Sequence, residues 1–217
     1  MFNWHGWLWT DAGLAARIGI GAAIFAALAA VDLWREGRRA TRWREYLFLV
    51  VAVGLAMGYG FVNDFVASGI SWEYFYYGKG LDGMLGPHVP PDPAALRWAA
   101  CGVGLRATWS AGLIAGVAVL VANNPRRDRR QLPYWQLLIL LPAIFAGAAV
   151  VAGIGAGCGA NGWLAWTNTD IAAIARDDLF RPRRFMCVYG MNLGGYVGGL
   201  IATVAAVIRI RRKRRCD

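Results

Sequence analysis

Tyr46-Leu47-Phe48-Leu49-Val50-Val51-Ala52-Val53-Gly54-Leu55-Ala56-Met57-Gly58-Tyr59-Gly60-Phe61-Val62-Asn63-Asp64-Phe65-Val66 reads as one apolar run that closes on an amide and a carboxylate. It reaches the roughly 20 residues that a helix needs to cross a bilayer. Just beyond it stands Ser71-Trp72-Glu73-Tyr74-Phe75-Tyr76-Tyr77-Gly78-Lys79, with a second carboxylate, an aromatic cluster and a lysine. Charge at the point where an apolar helix leaves a membrane needs a partner or a purpose.

Four more apolar runs flank this one, at residues 14–34, 98–122, 133–157 and 186–208, so that 46–66 is the second of five. Of the 217 residues 58% are hydrophobic and 17% charged, and the apolar ones come in long runs rather than amphipathic stripes. The expected fold class is all-α, a polytopic membrane helix bundle of about five transmembrane helices with glycine-rich packing. One integral membrane domain over residues 1–217 accommodates it, with outer segments at 67–97 and 158–185.

The formal charge of +10 is concentrated beside the apolar runs. Residues 35–45 hold five arginines against two glutamates, 123–131 hold four arginines, and Arg209-Ile210-Arg211-Arg212-Lys213-Arg214-Arg215 follows the last run. Five crossings put all three clusters on one side, which the positive-inside rule makes cytoplasmic. The N-terminus is then outside and the C-terminus in the cytoplasm of a protein of the inner (cytoplasmic) membrane. Basic residues placed this way speak for topology and against nucleic acid. The partners expected are membrane lipids, a membrane-protein partner or further copies of the chain.

Residues 1–11 lack the positive n-region and cleavable apolar core of a secretory signal peptide. Trp4, Trp7 and Trp9 read as an interfacial belt, with His5 an interfacial side chain among them. In the first outer segment, the Gly and Pro of residues 80–93 indicate turns. In the second, Ile171, Ile174, Ala175 and Leu179 recur at helical spacing, which predicts a short amphipathic helix.

Glycine spacing points to close helix packing. Gly190, Gly194 and Gly198 are four apart in the fifth run, as are Gly195 and Gly199. Gly153, Gly155, Gly157 and Gly159 mark the fourth, Gly54 and Gly58 the second, and Gly112 and Gly116 the third. Faces of this kind serve intramolecular packing or a homo-oligomer.

The buried polar residues gather at one depth. With a rise of about 1.5 Å per residue, Arg106 lies roughly 13 Å inward from Arg97, and Asn192 roughly 9 Å inward from Met186. Asn63 and Asp64 stand a few residues below the outer end of their run. An Asp64–Arg106 pair facing the bundle interior is the expected arrangement, because a lone charge there costs about 2.5–3.5 kcal/mol. Thr108 and Trp109 follow Arg106 and add hydrogen-bonding capacity. Two readings compete: a network that fixes helix register, or an outward-opening pocket lined by Asn63, Asp64, Glu73, Arg106 and Asn192 for a polar ligand, a lipid headgroup or a proton. Lys79 and the aromatics before it suit either headgroup binding or an interfacial belt.

The pattern Asn63-Asp64, eight residues, Glu73-Tyr74-Phe75, three residues, Lys79 resembles a motif of small uncharacterised bacterial multi-pass membrane proteins. Ala107-Thr108-Trp109 with Gly112 to Gly116, and Asn192 with Gly194-Gly195-Tyr196-Val197-Gly198-Gly199, are similar to further stretches of that family. Met191 and Trp72 depart from it, standing where a histidine and a proline are expected. The resemblance implies a fold and no activity.

Signatures of catalysis are missing. There is no phosphate-binding Gly-Lys-Ser/Thr loop, no two-histidine helix motif and no Gly-x-Ser-x-Gly elbow. His5 and His88 are the two histidines, both placed near the outer surface, so no catalytic residue, metal ligand or cofactor is assigned. Cys101, Cys158 and Cys187 fall near the outer helix ends, where Cys158 and Cys187 are the candidate disulfide and small buried apolar residues the alternative. Three functional classes remain. A membrane scaffold or assembly partner asks least of the residues; a carrier or binding protein for a small ligand, lipid or proton uses Asp64, Glu73 and Arg106. A membrane enzyme on a lipid or periplasmic substrate is the third.

Overall fold

A computed structural model of the chain describes residues 11–37, 40–125, 131–164 and 181–216. The described residues are helical and contain no strand. Five helices are long and apolar enough to span a membrane, so the chain is an all-α bundle of the multi-pass membrane type. Helix α1 is Asp11–Glu36 and α2 is Trp43–Ile70. A π-helical turn, Tyr74–Gly78, and the one-turn α3, Asp82–Leu85, lead to α4, Pro93–Ala122. Then come α5, Tyr134–Ala160, and α6, Pro182–Cys216. The tryptophans of residues 1–10 and the amphipathic helix expected within 169–180 lie outside the described residues.

Helix ends are set by local chemistry rather than by where hydrophobicity stops. At the start of α4 the Asp92 carboxylate accepts the Ala95 N–H at 2.8 Å and Pro93 takes the first helical position, a combination that satisfies one orphan donor and presets φ. The helix therefore begins ahead of the apolar run at 98. At the start of α2 the cap comes from another helix: Asp32 Oδ2 accepts the N–H groups of Arg42 and Trp43 at 3.0 and 3.3 Å. That bond and the stacked rings of Phe25 and Tyr46, 5.7 Å apart, fasten α1 to α2. The rest of α1 exposes Ile20, Ile24, Leu28 and Val31.

Two antiparallel hairpins make the bundle. In α2–α4, a Cβ at Gly104 would fall on the Gly60 carbonyl, and one at Gly112 would lie 2.5 Å from Ala56 Cβ. In α5–α6, Cβ atoms at Gly155 and Gly190 would each fall on the other's carbonyl, and one at Gly159 on that of Met186. Backbones this close exclude every side chain but hydrogen. Gly54 and Gly58, which the spacing marked for α2, instead have no atom within 4 Å, and Gly60 is the residue in contact. Spacing by four identifies a face but not its direction.

The two hairpins meet at both ends. At the aromatic end Tyr74, Phe75, Tyr76, Leu96, Phe185 and Val188 form a buried cluster. At the basic end Phe48, Val119, Leu137, Leu141 and Ile210 form another. There Asn123 binds Leu132 through both backbone groups at 2.9 Å. Arg214, 5% exposed, donates to the Ala122 and Asn124 carbonyls at 2.6 and 2.8 Å, placing positive charge at the C-terminus of α4.

Candidate functional site

Between these two clusters the hairpins part around a cavity of about 210 Å³ walled by α2, α4, α5 and α6. Its walls are mostly apolar, from Ala56, Ala111, Ile114, Ile144, Ala148 and Leu200. Polar groups gather toward the aromatic end: Asn63, Asp64, Thr108 and Asn192, with the phenols of Tyr59 and Tyr196 nearby. From Asn192 to Thr203 it follows α6 for about 16 Å.

Each polar group is placed by its helix. Asn63 Nδ2 donates to Asp64 Oδ1 at 3.0 Å and, across the cleft, to Asn192 Oδ1 at 3.4 Å. Asn192 Nδ2 returns to the Val188 carbonyl one turn back, at 3.2 Å. Thr108 Oγ1 donates to the Gly104 carbonyl at 2.8 Å. Asp64 is 4% exposed, and its carboxylate presses toward Gly104, where a Cβ would come within 3.1 Å of Oδ2. Tyr59 Oη is buried and has no hydrogen-bond partner among the described residues. It stands over Gly195, and its ring stacks on Phe145 at 6.0 Å.

Access is sideways. Ile114 on α4 and Tyr196 and Leu200 on α6 line the cavity yet are 69%, 51% and 67% exposed, so its mouth faces the lipid-covered flank between those helices. The aromatic turn is folded into the bundle over the polar end, with Tyr74, Phe75 and Tyr76 buried. Burial pushes the Tyr74 phenol above its ordinary range, and the nearby Asp64 charge pushes the same way. The expectation of an outward-opening pocket is corrected by this plug.

The residues singled out by sequence divide accordingly. Asn63, Asp64, Thr108 and Asn192 line the cavity; Glu73, Lys79, Arg106 and Trp109 do not. Glu73, 1% exposed, accepts the Ser71 hydroxyl at 2.7 Å and the Arg181 N–H at 3.2 Å. It thereby caps the start of α6 from a distant part of the chain. Lys79 Nζ lies over the Tyr74 ring at 5.4 Å. Trp109 carries the Arg17 guanidinium at 5.7 Å. Arg106, three positions before Trp109, shares that α1-facing side of α4. The Asp64–Arg106 pair therefore does not form: Gly104 and Thr108 take the side of α4 that faces Asp64.

Cys101, Cys158 and Cys187 are free thiols, so the Cys158–Cys187 bridge is absent. Among the described residues no three His, Cys, Asp or Glu side chains come together to hold a metal ion. Sequence reasoning missed Tyr59 and Tyr196. The available signal was their spacing: each is four residues from an asparagine, Asn63 or Asn192, and so lies on the same helix face.

Comparison with protein-family models, with curated proteins and with solved structures gives no match for this chain.

Proposed function

We propose that the protein binds an amphiphile taken laterally from the membrane, head inward, in the cleft between its two hairpins. The observation that carries this reading is Asp64: a carboxylate 4% exposed, set in a mostly apolar cavity whose mouth faces lipid. Buried charge of this kind marks functional sites in membrane proteins. The size supports the same reading. An engineered cavity of about 150 Å³ takes benzene, so about 210 Å³ holds a headgroup and the start of a chain. The remainder of the chain leaves through the mouth into the bilayer. Lipid-derived ligands and carrier or sensor roles all belong to this class.

The topology that goes with this reading has the basic end in the cytoplasm and the aromatic end outside, in the cytoplasmic membrane. The cleft's polar end then lies in the outer leaflet. The testing experiment is native mass spectrometry of the protein gently extracted from its own membrane. Extra mass of a defined lipid-like molecule, lost in a folded Asp64→Asn variant, is the expected result. Only a stoichiometric protein partner, with bound mass indifferent to Asp64, overturns it.

One observation favours a second reading, an assembly partner or homo-oligomer. Gly54 and Gly58 are four apart on α2 and meet nothing within 4 Å, which leaves a small-residue face open to another helix.

A further inference from the structure

Hydrogen-bonding capacity in the cleft is lopsided. The Asn63 amide uses its two protons on Asp64 and Asn192. The Asn192 amide turns back to Val188, and the Thr108 and Thr203 hydroxyls donate to the carbonyls of Gly104 and Gly199. These amide and hydroxyl donors thus point into the protein. Among the described residues the groups left without a partner are two acceptors, Asp64 Oδ2 and Asn63 Oδ1, the second proton of the Asn192 amide, and the phenols of Tyr59 and Tyr196, which accept or donate.

Charge is lopsided in the same sense. Among the described residues no Lys, Arg or His lines the cavity. Lys79 acts on Asp64 from outside the cavity, where it stands over the Tyr74 ring, and Arg106, three positions before Trp109, falls on the α1 side of α4. An anionic head would meet the Asp64 carboxylate with no positive charge beside it in the cavity, at low dielectric, where like charges repel most strongly. A hydroxyl head brings one proton and no charge to the carboxylate. An ammonium brings three protons and the opposite charge, and hydrogen bonds between ions are the strong ones.

We infer that the headgroup bound in the cleft is a protonated amine carried on an apolar chain. This rests on the amphiphile reading and narrows it to one chemistry, held by Asp64, Asn63 and Tyr59, with the chain passing between Ile114 and Leu200.

The test uses the full chain in a nonionic maltoside and compares dodecylamine, dodecanol and dodecyl phosphate, with binding measured by native mass spectrometry and thermal shift. Dodecylamine is expected to bind at least about tenfold more tightly than either other probe. Asp64→Asn should abolish that preference while leaving the weaker binding of dodecanol. Gly199→Leu supplies a second variant, because a Cβ at Gly199 meets only Ala148 Cβ, at 3.9 Å, and the larger side chain fills the cavity. It should block all three probes in a protein that still melts cooperatively. Equal binding of the three, a preference for the phosphate, or an amine preference that survives Asp64→Asn overturns the headgroup assignment and leaves the amphiphile reading standing. Wild-type protein that takes up no probe, or uptake indifferent to Gly199→Leu, overturns both.

Discussion

The side-chain amides of Asn63 on α2 and Asn192 on α6 meet at 3.4 Å, and they join the two hairpins at the polar end of the cleft. The Asn63 amide also holds Asp64 Oδ1, at 3.0 Å. Asn63→Ala therefore leaves the Asp64 and Asn192 side-chain oxygens without their donor, whereas Asn192→Ala orphans only one Asn63 N–H, because the Val188 carbonyl it also binds lies within α6. The first should destabilise by about 1–3 kcal/mol and the second by less, with a coupling near the roughly 0.6 kcal/mol average of interhelical hydrogen bonds in membranes. A double-mutant cycle on unfolding in mild detergent measures both; equal costs would contradict the shared-donor geometry.

Glu73 is a capping group, and its substitution should be felt in structure rather than in ligand binding. Glu73→Ala leaves the Arg181 N–H and the Ser71 hydroxyl without their acceptor, a loss of about 1–3 kcal/mol. Glu73→Gln keeps an oxygen there and should recover part of it. Hydrogen exchange at residues 181–185 reports the change, while the mass bound in the cleft stays the same.

Glycine substitutions separate the two kinds of helix face. Leu at Gly155 or Gly190 would collide with the partner backbone and should prevent the α5–α6 hairpin from closing, costing more than the ~1–3 kcal/mol of ordinary overpacking. Leu at Gly54 or Gly58 meets open space and should leave the monomer's melting temperature within a degree or two. A change in oligomeric state on Gly54→Leu, read by light scattering, would establish that face as an interface.

Arg214 bridges the Ala122 and Asn124 carbonyls. A lysine has no fork with which to span them, so Arg214→Lys and Arg214→Gln should both lower thermal stability, by about 1–3 kcal/mol. The exposed Arg211 and Arg212 serve as controls, with no stability change expected.

Burial raises the Tyr74 phenol above its ordinary value of 10.0, with Asp64 adding to the effect. The sign follows from linkage: the folded state binds the phenolic proton more tightly than the unfolded state. That contribution is complete below pH 10.0 and is lost as pH rises through the folded value. Alkaline unfolding should thus be less steep in Tyr74→Phe than in the wild type, as measured by circular dichroism against pH.

The five spans and the direction of their charges were legible because length and apolarity are properties of a run, whatever it packs against. Asn63, Asp64, Thr108 and Asn192 were legible as a cluster because helical rise fixes depth. Rotation was not. Arg106 is at the expected depth, but it points to the α1 side of α4, and nothing in a single helix states which flank its neighbour occupies. Glu73 illustrates a second limit, since its partner is the Arg181 N–H, more than a hundred residues away, and backbone groups leave no mark in a sequence. The missing Cys158–Cys187 bridge is a third case. Similar depth does not by itself supply the Cα separation and Cβ directions that a disulfide needs.

Each hairpin is sealed by its own glycine contacts, Gly60 with Gly104 and Gly155 with Gly190, whereas the two are joined mainly at their ends. Biosynthesis can exploit that division. A translocon releasing α1 to α4 delivers a closed unit before the α5–α6 hairpin is complete, and that hairpin can then dock onto it as a whole. Residues 1–125 and 131–217, produced as separate polypeptides, should accordingly find each other in the bilayer and regenerate the cleft as the seam of their reunion.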